Sequence, residues 1–127
     1  CPEGFEPLPG VLEQARSLAQ HGASIDVVTD PREAVAGAQA VYTDVWASMG
    51  QEDEQMQREQ AFAGFCVDQP LMDHASADAI VLHCLPAHRG EEISPEVMEG
   101  AASRIFDQAE NRLHAQQALL AVLMGGL

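Results

Sequence analysis

The stretch AIVLHCLPAHRGEEISPE, residues 79–96, decides the fold. Its first four residues are apolar, and such a short apolar run predicts a buried strand, which we place at residues 78–84. The run then gives way to His83 and Cys84, which can carry chemistry, and a capped helix is predicted over residues 94–100. A buried strand that leads through a polar turn into a helix is typical of α/β proteins.

The rest of the chain alternates between helical and strand-like segments in the same way. We predict helices over residues 9–21, from Pro31 after an Asp30 cap, over 51–61 and 69–75, and from a capping box of Asp107 and Glu110 to about Met124, where Gly125 and Gly126 terminate it. We predict strands over residues 24–30, 39–46 and 103–106, while 64–68 fits either a short strand or a connector. The strands are continuous apolar runs, which predicts a sheet covered on both faces. The predicted class is α/β, with a doubly wound, Rossmann-like, mostly parallel sheet.

The composition limits what the chain can bind. With 127 residues, the chain is long enough for one domain with a modest core. Twenty acidic residues against six basic ones give a net charge of −14, so nucleic acids and anionic membrane surfaces would be repelled. Three irregularly spaced cysteines suit the reduced thiols of a cytosol better than a disulfide framework. We find no signal peptide and no apolar run of roughly 18 residues, so we expect a soluble, cytoplasmic protein.

Three candidate sites fall at the carboxyl ends of the predicted strands, where the loops and helix N-termini of an open parallel sheet converge. One strand ends near Asp44, the next ends at His83 and Cys84, and Arg112 lies near the predicted start of the last helix. All three lie on one edge if the strands are parallel. A cation near a helix N-terminus opposes the helix dipole, and an anion bound between the two would reverse that effect. Arg112 is therefore a candidate for binding phosphate or carboxylate.

Each candidate also has a simpler structural interpretation. Asp44 fits a helix cap or turn former, Cys84 fits an inert core thiol, and His83 fits a core imidazole. A metal site of His83, Cys84 and His88 is disfavoured because adjacent strand side chains point to opposite faces, and we predict no metal. A nucleophilic cysteine, with His83 or His88 lowering the thiol pKa, stays open. The sequence has no glycine-rich phosphate loop and no nucleotide-binding motif.

Three longer strings point to one family. DVWASMGQE (44–52), HCLPAHRGEE (83–92) and FDQAENRLHAQQALL (106–120) closely resemble ornithine carbamoyltransferases, in the same order and at the same spacing. The resemblance extends over essentially all 127 residues, which would form only the later, ornithine-binding part of such an enzyme. It implies transfer of a carbamoyl group from carbamoyl phosphate to L-ornithine, giving L-citrulline and phosphate, as in arginine biosynthesis or the urea cycle. It also implies that no metal or organic cofactor is required and that the complete enzyme is a homotrimer.

The resemblance assigns roles to individual residues. It implies that Asp44, Ser48 and Met49 contact ornithine, with Asp44 recognising its amino group. It also implies that Cys84 and Leu85 line the reaction centre. Because the side-chain amine of ornithine must lose a proton before it attacks the carbamoyl carbon, a carboxylate and a polarisable thiol are suitable neighbours.

The resemblance also covers the second substrate and the turn after the strand. Arg112 would bind carbamoyl phosphate, as one donor to the developing oxyanion and the departing phosphate. The Leu85–Pro86 bond would be cis, so that the proline ends the strand and turns the backbone of Cys84 and Leu85 toward the substrate. The family's Ser-x-Arg-Thr-Arg and His-Pro-x-Gln motifs and its Asn-Asn ornithine contact would all lie before Cys1.

The absence of these motifs from the sequence leaves other interpretations open. Without an N-terminal carbamoyl-phosphate domain the chain would lack most of the positioning groups for catalysis, so the isolated chain would be inactive or would serve as a non-catalytic binding module. The first strand and helix of the domain would also be missing, which leaves an apolar face uncovered and favours self-association or repacking. A related amine, such as putrescine or acetylornithine, is an alternative substrate.

Overall fold

The computed structural model describes residues 1–47, 50 and 54–125. Within them the chain forms α1 (Pro9–Leu18), α2 (Pro31–Val35), β1 (Ala40–Thr43), α3 (Gln55–Ala61), α4 (Gln69–Met72), β2 (Ile80–His83), α5 (Pro95–Met98) and α6 (Ile105–Leu123). The predicted α/β class with a parallel sheet is confirmed. None of the helices in this part of the chain has the length and apolar character needed to cross a membrane.

Three short helices begin in the same way, with a polar cap followed by a proline in the first two helical positions. The side chains of Asp30, Asp68 and Ser94 each accept a hydrogen bond from a backbone N–H of the helix that follows. These bonds satisfy donors that have no partner within the helix, and proline fits there because it lacks an N–H that would need one. The predicted starts of α2 and α5 are confirmed.

The strands β1 and β2 pair in parallel, and their register sets Thr43 opposite His83. Beside β2, the backbone at Ser103 adds a single parallel bridge to Val81. Because the two strands run in the same direction and end in register, the residues that follow Thr43 and His83 emerge at the same edge of the sheet.

The hydrophobic core lies against one face of this sheet. Val41 of β1 and Val81 of β2 are buried and pack with buried side chains of the neighbouring helices. These partners are Val35, Leu71, Met72, Val97, Met98 and Ile105. Side chains alternate between the two faces along a strand, so Tyr42 points away from this core and is 57% exposed. The predicted cover on both faces is therefore incomplete over Tyr42.

The predicted strand at residues 24–30 is wrong. These residues form no ladder with any strand of the described chain. Instead, the Ile25 carbonyl accepts a hydrogen bond from the Arg16 side chain at 3.0 Å, and the Val28 carbonyl accepts one from the Cys1 amino group at 2.8 Å. A β-branched composition produces a strand only where a neighbouring strand pairs with it, and within the described residues none does.

The predicted strand at residues 103–106 and the predicted start of the last helix are also wrong. Only Ser103 pairs with β2, because α6 already begins at Ile105. Asp107 and Glu110 consequently lie inside the helix and do not form the predicted capping box.

The middle of the chain agrees with the predictions where the structure describes it. The helix predicted over residues 51–61 corresponds to α3, and residues 51–53 lie outside the described chain. The segment 64–68 is a connector, in which Val67 makes one bridge to Ile93.

The long helix α6 exposes most of its length. Only its first residue, Ile105, is buried, and its other large apolar side chains are more than half exposed. They are Phe106, Leu113, Leu119, Leu120, Val122 and Leu123. Another element normally covers an apolar helix surface of this size in a folded protein.

We predict that Ile105→Ala lowers the free energy of unfolding by about 2–5 kcal/mol, because this side chain is fully buried in the core. The matched control is Leu113→Ala on the same helix. It truncates a side chain that is 64% exposed and is expected to change stability by less than about 0.5 kcal/mol. Urea unfolding followed by circular dichroism measures both variants. Equal losses of stability would contradict the burial of Ile105.

Candidate active site

An acidic side chain and a thiol meet where β1 and β2 end. Asp44 follows β1 and Cys84 follows β2, so the parallel register brings them to the same edge. Cys84 Sγ donates a hydrogen bond to Asp44 Oδ1 at 3.0 Å, and the Val45 N–H donates to the same oxygen at 2.7 Å. Asp44 is exposed, and no described residue hydrogen-bonds to its Oδ2. A carboxylate forms strong hydrogen bonds with a cationic group of a ligand.

The hydrogen bond to Asp44 raises the pKa of the Cys84 thiol above its usual value. Partial burial and the negative charge of Asp44 act in the same direction, because both favour the neutral thiol. The thiol is therefore protonated near neutral pH. The direction of this shift disfavours the interpretation of Cys84 as a nucleophile with a lowered pKa, because a raised pKa leaves less of the thiolate that nucleophilic catalysis needs.

His83 points into the core, and its hydrogen bonds determine its tautomer. The Leu85 N–H donates to His83 Nδ1 at 2.8 Å, so Nδ1 carries no proton. Nε2 then carries the proton and donates a hydrogen bond to Glu92 Oε1 at 3.1 Å. The simpler interpretation of His83 as a core imidazole is confirmed. Both ring nitrogens are occupied, so His83 does not act on the Cys84 thiol.

Glu92 supports the turn that follows β2. Its side chain is fully buried, and Oε1 also accepts a hydrogen bond from the His88 N–H at 2.6 Å. Through His83 and His88, this carboxylate contacts both flanks of the Leu85–Pro86 peptide bond, which is cis. Leu85 has a left-handed backbone with φ 58°, which is unfavourable for leucine, and its hydrogen bond to His83 helps to hold it. The sequence analysis missed Glu92, because acidic residues are rarely buried and nothing local marks one that is.

Among the residues that the structure describes, two groups of side chains bring metal-ligating atoms within 4.8 Å of one another. The first group is Asp44, His83 and Cys84. The chain turns after β2, so adjacent side chains do approach, contrary to the expectation for a straight strand. Both nitrogens of His83 make hydrogen bonds, however, which leaves no imidazole lone pair for an ion. In the second group, His88 Nδ1 lies 3.9 Å from a carboxylate oxygen of Glu91 and of Glu92, which is within ion-pair distance.

Gln108 connects α6 to both strands. Its Oε1 accepts a hydrogen bond from the His83 N–H, and its Nε2 donates one to the Tyr42 hydroxyl, each at 3.1 Å. The sequence analysis missed Gln108. The available signal was its position one helical turn before Arg112, which puts both side chains on one face of a helix.

Arg112 does not lie at the start of a helix. Because α6 begins at Ile105, Arg112 is about two turns inside it, and its predicted opposition to the helix dipole is wrong. Its side chain is exposed and makes no hydrogen bond or ion pair within residues 1–47, 50 and 54–125. From Gln108, which contacts the end of β2, the helix extends roughly 6 Å along its axis to Arg112.

The structure thus unites some of the predicted site residues and leaves others apart. Asp44 and Cys84 are in direct contact, whereas Arg112 hydrogen-bonds to neither of them. Ser48 and Met49 lie outside the described residues.

The fold and the site together define a class of protein. A parallel α/β sheet with a carboxylate and a thiol at its carboxyl edge is typical of domains that bind small molecules. A family profile described as "Aspartate/ornithine carbamoyltransferase, Asp/Orn binding domain" matches residues 1–123. The chain belongs to this family.

Within this family, the similar proteins described next are ornithine carbamoyltransferases. The chain is 84% identical over 127 residues to the ornithine carbamoyltransferase of Parasynechococcus marenigrum (strain WH8102). The aligned region covers 100% of this chain and 40% of that protein. It is similar to the solved ornithine carbamoyltransferase from Pyrococcus furiosus, with 50% identity and a TM-score of 0.89 over 99% of this chain and 41% of that one. The anabolic enzyme from Campylobacter jejuni gives 41% identity and a TM-score of 0.91 over 100% of this chain and 42% of that one. The chain therefore spans about two fifths of the length of these relatives and matches their C-terminal portion.

We predict that Asp44→Asn moves the pH midpoint for alkylation of Cys84 downward. The variant removes the negative charge that favours the neutral thiol, so the thiolate forms at lower pH. Iodoacetamide pulses at a series of pH values between about 6 and 10, followed by peptide mass spectrometry, measure this shift. Cys66 is the internal control, because burial raises its pKa and Asp44 is not among the groups that affect it. An unchanged Cys84 midpoint would contradict the coupling of the two side chains.

We predict that Glu92→Ala lowers the free energy of unfolding by about 1–3 kcal/mol for each donor that it leaves unpaired. These donors are the His83 Nε2–H and the His88 N–H. Glu92→Gln is the matched control, since its carbonyl oxygen still accepts both hydrogen bonds, and we expect a smaller loss. Urea unfolding measures both variants, and equal losses would show that the two hydrogen bonds do not support the turn.

Proposed function

We propose that this chain is the ornithine-binding part of an enzyme that transfers a carbamoyl group from carbamoyl phosphate to the side-chain amine of L-ornithine. The products would be L-citrulline and phosphate, in a step of arginine biosynthesis or of the urea cycle. The observation that carries the proposal is the hydrogen-bonded pair of Asp44 and Cys84 at the sheet edge. The family and the names of the similar proteins supply the substrate class.

In this proposal Asp44 binds the amino group of ornithine. Its Oδ1 accepts hydrogen bonds from Cys84 and Val45, which orient the carboxylate. A hydrogen bond between an ammonium group and a carboxylate is stronger than one between neutral groups. Asp44 would also repel the second carboxylate of aspartate, the other amino acid in the family description.

The proposed reaction forms a bond between the side-chain nitrogen of ornithine and the carbamoyl carbon. The bond from that carbon to a phosphate oxygen breaks, and phosphate leaves with the electron pair. The amine must first lose a proton to solvent so that its lone pair can attack. After the bond forms, the nitrogen loses a second proton, which leaves with the departing phosphate as hydrogen phosphate. Cys84 is protonated and donates its one S–H hydrogen to Asp44 Oδ1, which orients the carboxylate beside the reacting atoms, and Leu85 lines the same centre. No oxidation state changes, so the reaction requires no redox cofactor.

We assign carbamoyl phosphate binding to Arg112 and further ornithine contacts to Ser48 and Met49. Arg112 is exposed on α6, four residues after Gln108, and has no acidic partner in the described part of the chain. Its planar guanidinium can donate two parallel hydrogen bonds to a phosphate group. The roles of Ser48 and Met49, which follow Asp44 closely in the sequence, come from the family resemblance.

The complete enzyme would contain an N-terminal carbamoyl-phosphate domain and would be a cytoplasmic homotrimer. Two observations support further protein around this chain. The chain spans about two fifths of its relatives, and α6 exposes large apolar side chains that a second domain would cover.

The test is citrulline formation by two proteins. One is the chain of 127 residues alone. The other, which we name the chimeric enzyme, is the Parasynechococcus marenigrum relative with this chain in place of its matching segment, which is 84% identical. We predict that the chimeric enzyme forms citrulline from L-ornithine and that the chain alone does not. In the chimeric enzyme, Asp44→Asn is expected to lower kcat/KM for ornithine by roughly 100-fold, since a hydrogen bond to a charged group contributes up to about 3 kcal/mol.

The control for Asp44→Asn is Asp78→Asn, which changes an exposed aspartate at the amino end of β2 and leaves the carboxyl edge intact. Equal kcat/KM values for Asp44→Asn and the unsubstituted enzyme would contradict the role of Asp44. If the chimeric enzyme carbamoylates putrescine or acetylornithine but not ornithine, the proposed substrate is wrong and that amine replaces it. A chimeric enzyme without activity on any of these amines would favour the non-catalytic binding module.

A further inference from the structure

A cluster of aromatic side chains and one arginine lies beside the candidate site. The Trp46 and Phe62 rings stack with centroids 6.1 Å apart and planes 27° apart, and the Phe5 ring meets Phe62 edge-on at 5.0 Å. Arg58 of α3 lies over the Phe5 ring, with its Cζ 5.3 Å from the ring centroid. We name Phe5, Trp46, Glu54, Arg58 and Phe62 the Arg58 cluster.

The guanidinium of Arg58 makes contacts through its edges and its face at the same time. One terminal nitrogen donates to the Trp46 carbonyl at 3.3 Å. Nε and the other terminal nitrogen donate to Glu54 Oε2 at 3.1 and 3.0 Å. Its face lies on Phe5, and the side chain is only 20% exposed. A planar, delocalised cation is required for this combination, because a lysine ammonium has neither the fork of donors nor the flat face.

These contacts connect Arg58 to the chain that leads away from Asp44. Trp46 follows Asp44 by two residues, and Val45 between them donates its N–H to Asp44 Oδ1. Arg58 holds the Trp46 carbonyl and Phe62 stacks on the Trp46 ring, so both restrict the backbone at residues 45 and 46. This backbone in turn orients the Asp44 side chain through the Val45 N–H. In the sequence, Trp46 precedes Ser48 and Met49 and Glu54 follows them, so Arg58 contacts one residue before these two and one after them.

We propose that Arg58 is a positioning residue for ornithine. This inference rests on the proposed function. Arg58 does not hydrogen-bond to Asp44 or Cys84, so it acts through the Trp46 carbonyl and Glu54. An ordinary surface ion pair between residues four apart on a helix would contribute to helix stability alone and would leave substrate affinity unchanged.

The experiment compares Arg58→Gln and Arg58→Lys with the unsubstituted chimeric enzyme, with KM and kcat measured for each substrate. Arg58→Gln is expected to raise KM for ornithine by at least about 10-fold and to leave KM for carbamoyl phosphate within about two-fold. Arg58→Lys is expected to give an intermediate KM for ornithine, because it keeps the charge but not the planar fork. The matched control is Arg32→Gln, which removes an arginine that is 68% exposed and that pairs, within the described part of the chain, with its own helix cap, Asp30.

A second measurement does not depend on activity. Trp46 is the sole tryptophan of the sequence, so its fluorescence in the 127-residue chain reports on the cluster directly. Arg58→Gln is expected to increase quenching of Trp46 by acrylamide, whereas Arg32→Gln is expected to leave it unchanged.

Two results would overturn the inference. One is a KM for ornithine within about two-fold of the unsubstituted value in Arg58→Gln. The other is a parallel rise of both KM values with a lowered Tm, which would indicate a general loss of structure. If the unsubstituted chimeric enzyme forms no citrulline, the proposed function fails, and unchanged quenching in Arg58→Gln would then separately refute the hold of Arg58 on Trp46.

Discussion

The parallel register of β1 and β2 is the constraint on which the rest of the site depends. Because the strands end in register, Asp44 and Cys84 leave the sheet side by side and come within hydrogen-bond distance. A slip of one residue would turn Val41 to the exposed face and Tyr42 into the core, so burial of the valine maintains the register. The same strand register therefore determines both the packing of the core and the geometry of the candidate site.

The turn after β2 carries a cost that the core alone does not explain. A buried carboxylate is unfavourable unless its oxygens are paired, and Glu92 pairs one oxygen with two donors while Oε2 has no hydrogen-bond partner among the described residues. Leu85 adds a left-handed backbone at the same turn. Local features that oppose stability are commonly found at functional sites, where the surrounding structure holds them in place. Here the result is a fixed position for the Cys84 thiol beside Asp44.

Local sequence signals were sufficient where a residue type has one dominant physical use. Asp30 and Ser94, each followed by proline, mark helix starts because they pair backbone donors that no helix can satisfy internally. The positions of Asp44 and Cys84 at one edge followed from the apolar strands before them, since parallel strands present their carboxyl ends together.

The features that the sequence did not reveal all depend on contacts between distant segments. Residues 24–30 have strand-like composition but no pairing neighbour in the described chain, so composition alone was misleading. The prediction that Arg112 lies near a helix start was wrong, because α6 begins at the buried Ile105 and not at the polar residues after it. The roles of Glu92 and Arg58 depend on His83 and Trp46, which folding brings into contact with them. A single sequence contains no local signature of such partners.

A crystal structure of the chimeric enzyme with L-ornithine tests the central claim most directly. We predict an ornithine nitrogen about 2.7–3.2 Å from the Asp44 carboxylate, next to the Cys84 sulfur and at the carboxyl edge of β1 and β2. Ornithine bound at another part of the molecule, without contact to Asp44, would contradict the claim that this pair of side chains forms the substrate site.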